Sequence, residues 1–99
     1  MPESRSIDKE EEFLKLISLK GTIDILRYLN EHGTGQYKDL MEFVNEVTLY
    51  NRVKQLLEFD LIIHHLNKKD VRKEWYELTE KGRKILQVLE DIIRETNKR

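Results

Sequence analysis

A chain of 99 residues makes one domain with a modest core, and its 18 Lys and Arg against 19 Asp and Glu exclude a histone-like polycation, so that any nucleic-acid surface must be local. With no Cys there is no disulfide, thiolate metal site or cysteine nucleophile. Neither an apolar leader nor a run of about 18 apolar residues occurs, so the chain is expected to be cytoplasmic and without membrane contact.

Residues 1–6 carry Pro, Ser and charges without apolar period and are expected to form a flexible tail, with residues 7–99 as a single domain. Helical spacing begins near Asp8: Phe13, Leu14, Leu16 and Ile17 share one side, and Asp8, Glu10, Glu11 and Glu12 crowd the early turns, where the helix dipole favours acids. Gly21 interrupts this helix, and Thr22 is a good N-cap for a second one over about 22–32, with Ile25, Leu26 and Leu29 inward and Gly33 as its stop. "GTGQ" is a turn. Tyr37, Leu40, Met41 and Val44 then repeat at helical spacing, which predicts a third helix over 37–44. Only "NEV" separates it from a fourth, capped by Thr48 and running to about Phe59, and two helices joined so closely form a helix-turn-helix.

After Phe59 the pattern changes. "LIIHHLN" and "EWYEL" are β-type runs joined by the charged linker "KKDVRK", which predicts an antiparallel hairpin. Thr79 caps a last helix over about 80–96 with Ile85, Leu86, Val88, Leu89, Ile92 and Ile93 apolar. Charge is uneven along this order. The net is −4 up to Glu46 and +3 from Val47 onward.

"DILRYLNEHG" (24–33), "YKDL" (37–40), "LYNRVKQLLEFDLI" (49–62) and "WYELTEKGR" (75–83) resemble the winged helix-turn-helix transcriptional regulators of the MarR, HxlR and ArsR-like group, particularly small archaeal ones. The resemblance covers about residues 22–90, and its most specific pieces are Leu49, Arg52, Val53 and Leu56 in one motif and Tyr76, Leu78, Thr79, Lys81 and Gly82 in the other. It implies a mostly α (α+β) fold: a winged helix-turn-helix with an additional N-terminal helix, a two-stranded hairpin wing and a long C-terminal helix. One departure is Asp60, which stands where these families commonly have Gly before the wing; Asp tolerates the left-handed conformation better than most residues.

The residues supply that fold with an action. The major groove of B-DNA admits one α-helix that exposes donors and acceptors while its back is packed. At about 100° per residue, Leu49, Val53, Leu56 and Leu57 span one arc of the fourth helix, and Tyr50, Asn51, Lys54 and Gln55 the opposite one. Asn51 and Gln55 can pair bidentately with adenine, Lys54 can reach guanine or phosphate, and Tyr50 a thymine methyl or a phosphate. Arg52 lies on the flank, suited to phosphate, and Thr48 at the first turn. Lys68, Lys69, Arg72 and Lys73 cluster at the hairpin tip, which can follow phosphates or enter the minor groove. The expected partner is double-stranded DNA, read in sequence-specific fashion by a transcriptional regulator.

The outer helices imply a second copy. Apolar residues of the last helix cover an arc of about 160°, wider than the roughly 100° needed to dock on one core, so one edge is left for a partner. The expected homodimer uses Phe13, Leu14, Leu16 and Ile17 with Leu86, Leu89, Ile92 and Ile93, and a two-fold dimer reads a pseudo-palindrome.

Other classes fit less well. His64 and His65 are strand neighbours that point to opposite faces, so they cannot chelate one ion together, and no cofactor is implied. No phosphate loop, zinc signature or nucleophile elbow points to an enzyme. The competing reading is a winged-helix protein-docking module without DNA readout, because fold alone does not fix function. The sequence names no effector ligand and no operator.

Overall fold

A computed structural model describes residues 2–70 and 73–98, with residues 2–7 as backbone only. The chain runs α1 (Pro2–Ser18), α2 (Thr22–His32), α3 (Tyr37–Leu40), α4 (Glu46–Glu58), β1 (Ile62–Leu66), β2 (Glu74–Leu78) and α5 (Glu80–Thr96). This is the mostly helical winged helix that the sequence predicts, with two differences in its first helices. Helix α1 already begins at Pro2, inside the stretch expected to be a tail. Thr22 does not cap α2; it is the helix's first residue, fully buried, and its hydroxyl donates to the Leu16 carbonyl at 2.7 Å.

Gly21 makes the α1–α2 turn possible in two ways. Its φ of +87° is a left-handed conformation, and a Cβ built there would lie 2.5 Å from Val44 Cγ1. Val44 therefore packs against bare backbone.

The third helix is one turn, not the two expected over 37–44, because the chain must reverse before α4 and residues 41–43 form that turn. Its start is held by the Asp39 carboxylate, which accepts the Gln36 backbone N–H at 2.8 Å. The cap of α4 is likewise displaced from Thr48 to Asn45, whose side-chain oxygen accepts the Thr48 backbone N–H at 2.9 Å. Helix α4 thus begins three residues earlier than a Thr48 cap predicts. At its other end Asp60 adopts φ 60°, the left-handed conformation of the position where the resembling families commonly have Gly, and the Leu61 N–H closes back on the Leu56 carbonyl at 3.0 Å.

The hairpin pairs β1 and β2 antiparallel with Ile62 opposite Leu78, His64 opposite Tyr76 and Leu66 opposite Glu74. Its inner face contributes Ile62, Tyr76 and Leu78 to the core. Gly35, read from sequence as part of a simple turn, also bridges Tyr76 through two backbone hydrogen bonds of 3.0 and 2.7 Å, so β2 is held on both edges.

One core joins these elements: Leu16 from α1, Ile25, Leu26 and Leu29 from α2, Leu40 and Val44, then Leu49, Val53 and Leu56 from α4, Leu61, the inner hairpin face, and Leu86 from α5. Leu16 and Leu86, expected at a dimer interface, are thus inside the domain, with exposures of 0% and 3%. The physical reason is position on the helix. Leu16 and Leu86 lie on the core-facing sides of α1 and α5, while Leu14, Val88 and Ile92 lie outside the core and remain 55–60% exposed.

Helices α2 and α5 are also joined by Arg27, whose guanidinium donates to both Glu90 carboxylate oxygens at 2.6 and 3.0 Å. Hydrogen bonds from Arg27 hold the Glu90 carboxyl below the usual carboxylate range, against a smaller opposing effect of burial. Both groups are partly wet, so the pair contributes little beyond alignment.

Candidate nucleic-acid interface

The outward face of α4 is assembled from its first turn onward. Tyr50, Asn51 and Lys54 are exposed, and Val47, at 75% exposure, joins them on the same arc. Behind them Leu49, Val53 and Leu56 are buried, which fixes the rotation of the helix about its axis. Thr48 is half-buried on one flank, with its N–H committed to Asn45. Leu57, expected to face inward, is 39% exposed instead and borders the opposite flank.

That opposite flank carries a shallow apolar notch of about 250 Å³ lined by Tyr37, Tyr50, Val53, Lys54, Leu57 and Tyr76. Burial pushes the Tyr37 and Tyr76 phenols up, with nearby glutamates adding to the shift, so both remain protonated donors near neutral pH. The notch places apolar surface beside Lys54, between α4 and strand β2.

Arg52 is not an outward flank residue. Only 7% exposed, it donates through Nε to the Lys20 carbonyl at 3.3 Å and through Nη1 to Gln55 Oε1 at 3.2 Å. Burial lowers its pKa from the ordinary guanidinium value, which still lies far above neutrality. Arg52 therefore ties α4 to the α1–α2 turn. Gln55, half-buried beside it, is held by one end of its amide.

At the wing tip Lys68, Lys69 and Lys73 are exposed, while Arg72 lies outside the described residues. The tip is shaped by Asn67, whose side-chain oxygen accepts the backbone N–H groups of Lys69 and Asp70 at 2.9 and 3.3 Å. The chain recloses through Asn67 N–H to the Lys73 carbonyl, also 2.9 Å. These bonds hold the backbone that carries Lys69 and Lys73.

The two wing histidines are spent on opposite faces of the hairpin. His65 meets Glu77 at 2.8 Å and stacks on Trp75 with ring centroids 5.2 Å apart; His64 meets Glu74 at 3.1 Å beside Tyr76. Among the described residues no cluster of three or more His, Asp or Glu is arranged to hold a metal ion. No helix among them is long and apolar enough to cross a membrane.

The HxlR-like helix-turn-helix family model matches residues 16–98, which takes in the helix-turn-helix, the wing and α5. The chain belongs to the HxlR-like helix-turn-helix family. No curated protein matches it. Among solved structures, the reduced form of the transcriptional regulator YodB from B. subtilis aligns with 87% of this chain and 86% of that one, at 22% identity and a TM-score of 0.73. A probable transcriptional regulator from Pseudomonas aeruginosa is 24% identical over 78% of this chain, with a TM-score of 0.68. This chain spans 59% of the length of that protein. The adhesin competence repressor AdcR from Streptococcus pyogenes is 18% identical, with 94% of this chain and 74% of that one aligned at a TM-score of 0.66. These likenesses speak for the winged-helix fold. The HxlR-like family is one of DNA-binding transcriptional regulators, not of enzymes.

Sequence reasoning missed Val47 and the burial of Arg52. Val47 was legible: once Asn45 is taken as the cap, Val47 falls one turn before Asn51 on the outward arc. Arg52 was not, because its carbonyl partner is 32 residues away in the chain and arginine is seldom buried.

Proposed function

We propose that this HxlR-like protein is a homodimeric, sequence-specific regulator that lays α4 in the major groove of double-stranded DNA. The observation that carries the reading is the face of α4: Val47, Tyr50, Asn51 and Lys54 outward on a helix whose back is buried by Leu49, Val53 and Leu56. Lys68, Lys69, Arg72 and Lys73 of the wing follow the adjacent backbone or minor groove, as their charge supports. Thr48 and Gln55 border the reading face. Arg52 acts from behind it, its guanidinium held by the Lys20 carbonyl and Gln55.

Two copies join through the outer edges of the terminal helices. Leu14, Val88 and Ile92 are exposed, and Phe13, Ile17, Leu89 and Ile93 are half-buried beside them. A two-fold pair would present two α4 helices to half-sites about one helical turn apart.

Fluorescence anisotropy with the duplex upstream of the protein's own gene, against a scrambled duplex at about 50 and 200 mM salt, tests this reading. Preference for the first duplex with a steep salt slope is the expected result, and no binding at the lower salt refutes it. Two substitutions separate the roles. Asn51→Ala should weaken specific binding by about 1–3 kcal/mol and leave non-specific binding nearly unchanged; an equal loss on both duplexes would remove Asn51 from base reading. Replacing Lys68 and Lys69 by Ala should weaken binding on all sequences and lower the salt slope by about two, one per lost phosphate contact. An unchanged slope would take the wing off the DNA.

A second reading is favoured by the apolar notch of Tyr37, Tyr50, Leu57 and Tyr76, which suits a hydrophobic side chain of a protein partner. Absence of DNA binding by a confirmed dimer would select it.

A further inference from the structure

We infer that Arg52 is a positioning residue that presents Gln55 to DNA as a hydrogen-bond donor, so that Gln55 selects a guanine edge and not the adenine edge its amide would otherwise suit. The inference rests on the placement of α4 in the major groove proposed above.

The argument starts from the chemistry of the two side chains. A guanidinium has donors and no acceptor, so the Gln55 amide atom that faces Arg52 Nη1 at 3.2 Å must be its oxygen. The orientation of this amide, whose two ends have nearly the same shape, is thereby fixed. Its Nε2, with two N–H groups, is the end left for a ligand.

Arg52 cannot follow Gln55 outward. It is 7% exposed and anchored at its Nε to the Lys20 carbonyl of the α1–α2 turn. Turning the Gln55 oxygen toward DNA would break this bond and leave Nη1 of a mostly buried side chain without its protein acceptor, which is disfavoured.

The bases distinguish the two orientations. Bidentate pairing with adenine needs both ends of the amide: the oxygen accepts from N6 and the nitrogen donates to N7. With the oxygen held inward only one of those bonds forms. Guanine shows two acceptors, O6 and N7, to the major groove, and these match the two N–H groups of Nε2. The expected adenine preference of Gln55 is thus reversed by a residue that never touches DNA.

In vitro selection from a duplex pool with a randomised centre tests this, using the full chain and its variants Gln55→Ala, Gln55→Glu and Arg52→Met. The wild type should enrich guanine at one position of each half-site. Gln55→Ala should flatten that position alone, by about tenfold in preference. Gln55→Glu offers only acceptors and should move the same position to cytosine, whose N4 amino group donates. Arg52→Met, with folding checked by thermal melting, frees the amide and should move it toward adenine.

Adenine at the Gln55-dependent position of the wild type would overturn the inference. So would an equal loss on all sequences with Gln55→Ala, the mark of a phosphate contact. If Arg52→Met does not fold, Gln55→Glu decides, and failure to move to cytosine counts against the inference. Binding without enrichment at any position would instead defeat the sequence-reading proposal itself, and this inference with it.

Discussion

Gly82→Ala should destabilise the domain by about 3 kcal/mol or more, although alanine is the better helix former by about 1 kcal/mol. Gly82 is buried in the first turn of α5, and a Cβ built on it would lie 2.0 Å from the Leu61 carbonyl oxygen and 2.9 Å from the carbonyl carbon. These are backbone atoms with no rotamer to retreat into. Leu61 is moreover tied on both sides: its N–H bonds the Leu56 carbonyl at 3.0 Å, and its carbonyl accepts the Thr79 N–H at 3.1 Å. Moving Leu61 away from a new methyl would therefore pull on the last turn of α4 and on the cap of α5 together.

The same junction explains why Thr79 precedes Gly82 by three residues. The Thr79 hydroxyl donates to the Asp60 carbonyl at 2.6 Å and accepts the Gly82 N–H at 2.9 Å, so one side chain closes the α4 terminus and opens α5. Urea denaturation of Gly82→Ala beside Gly33→Ala separates the two uses of glycine. At Gly33 the backbone has φ +83° but open space around a Cβ, and the expected loss there is only about 1–2 kcal/mol. A Gly82→Ala protein as stable as the wild type would show that α5 does not press on the Leu61 backbone.

Much of this was written in local pattern. The antiparallel hairpin follows from β-type runs rich in Ile, Trp and Tyr, and α5 from an apolar period and the Thr79 cap, while the left-handed Asp60 follows from the family resemblance, which commonly has Gly there. What escaped depended on contacts distant in sequence. The shortening of α3 comes from competition with the Asn45 cap, and Met41, placed at helical spacing, is 42% exposed in the turn. The bridge from Gly35 to Tyr76 spans 41 residues of chain and leaves no local mark beyond a glycine. At the interface, helical period placed Asn51 and Lys54 on the outward arc, yet it could not tell that Arg52 would turn inward to Lys20, nor that Leu16 and Leu86 would be used up by the core. Periodicity measures which residues share a side; it does not say how deep each one sits.

That distinction sets the second large effect, on assembly. The variant carrying Val88→Glu and Ile92→Glu should sediment as one chain of 12.0 kDa at about ten micromolar, where the wild type is expected at twice that mass. Both side chains are more than half exposed, so the change should leave the melting transition of the isolated domain within about 0.5 kcal/mol. Affinity for a two-half-site duplex should fall by about 100-fold or more, because the second α4 is no longer delivered at high effective concentration, while contact with one half-site is untouched. Leu86→Glu is the necessary contrast: at 3% exposure it buries a charge in the core and should unfold the domain outright. A doubly substituted protein that still sediments as a pair and holds DNA as before would place the dimer elsewhere, and the exposed edge of α5 would then need another explanation.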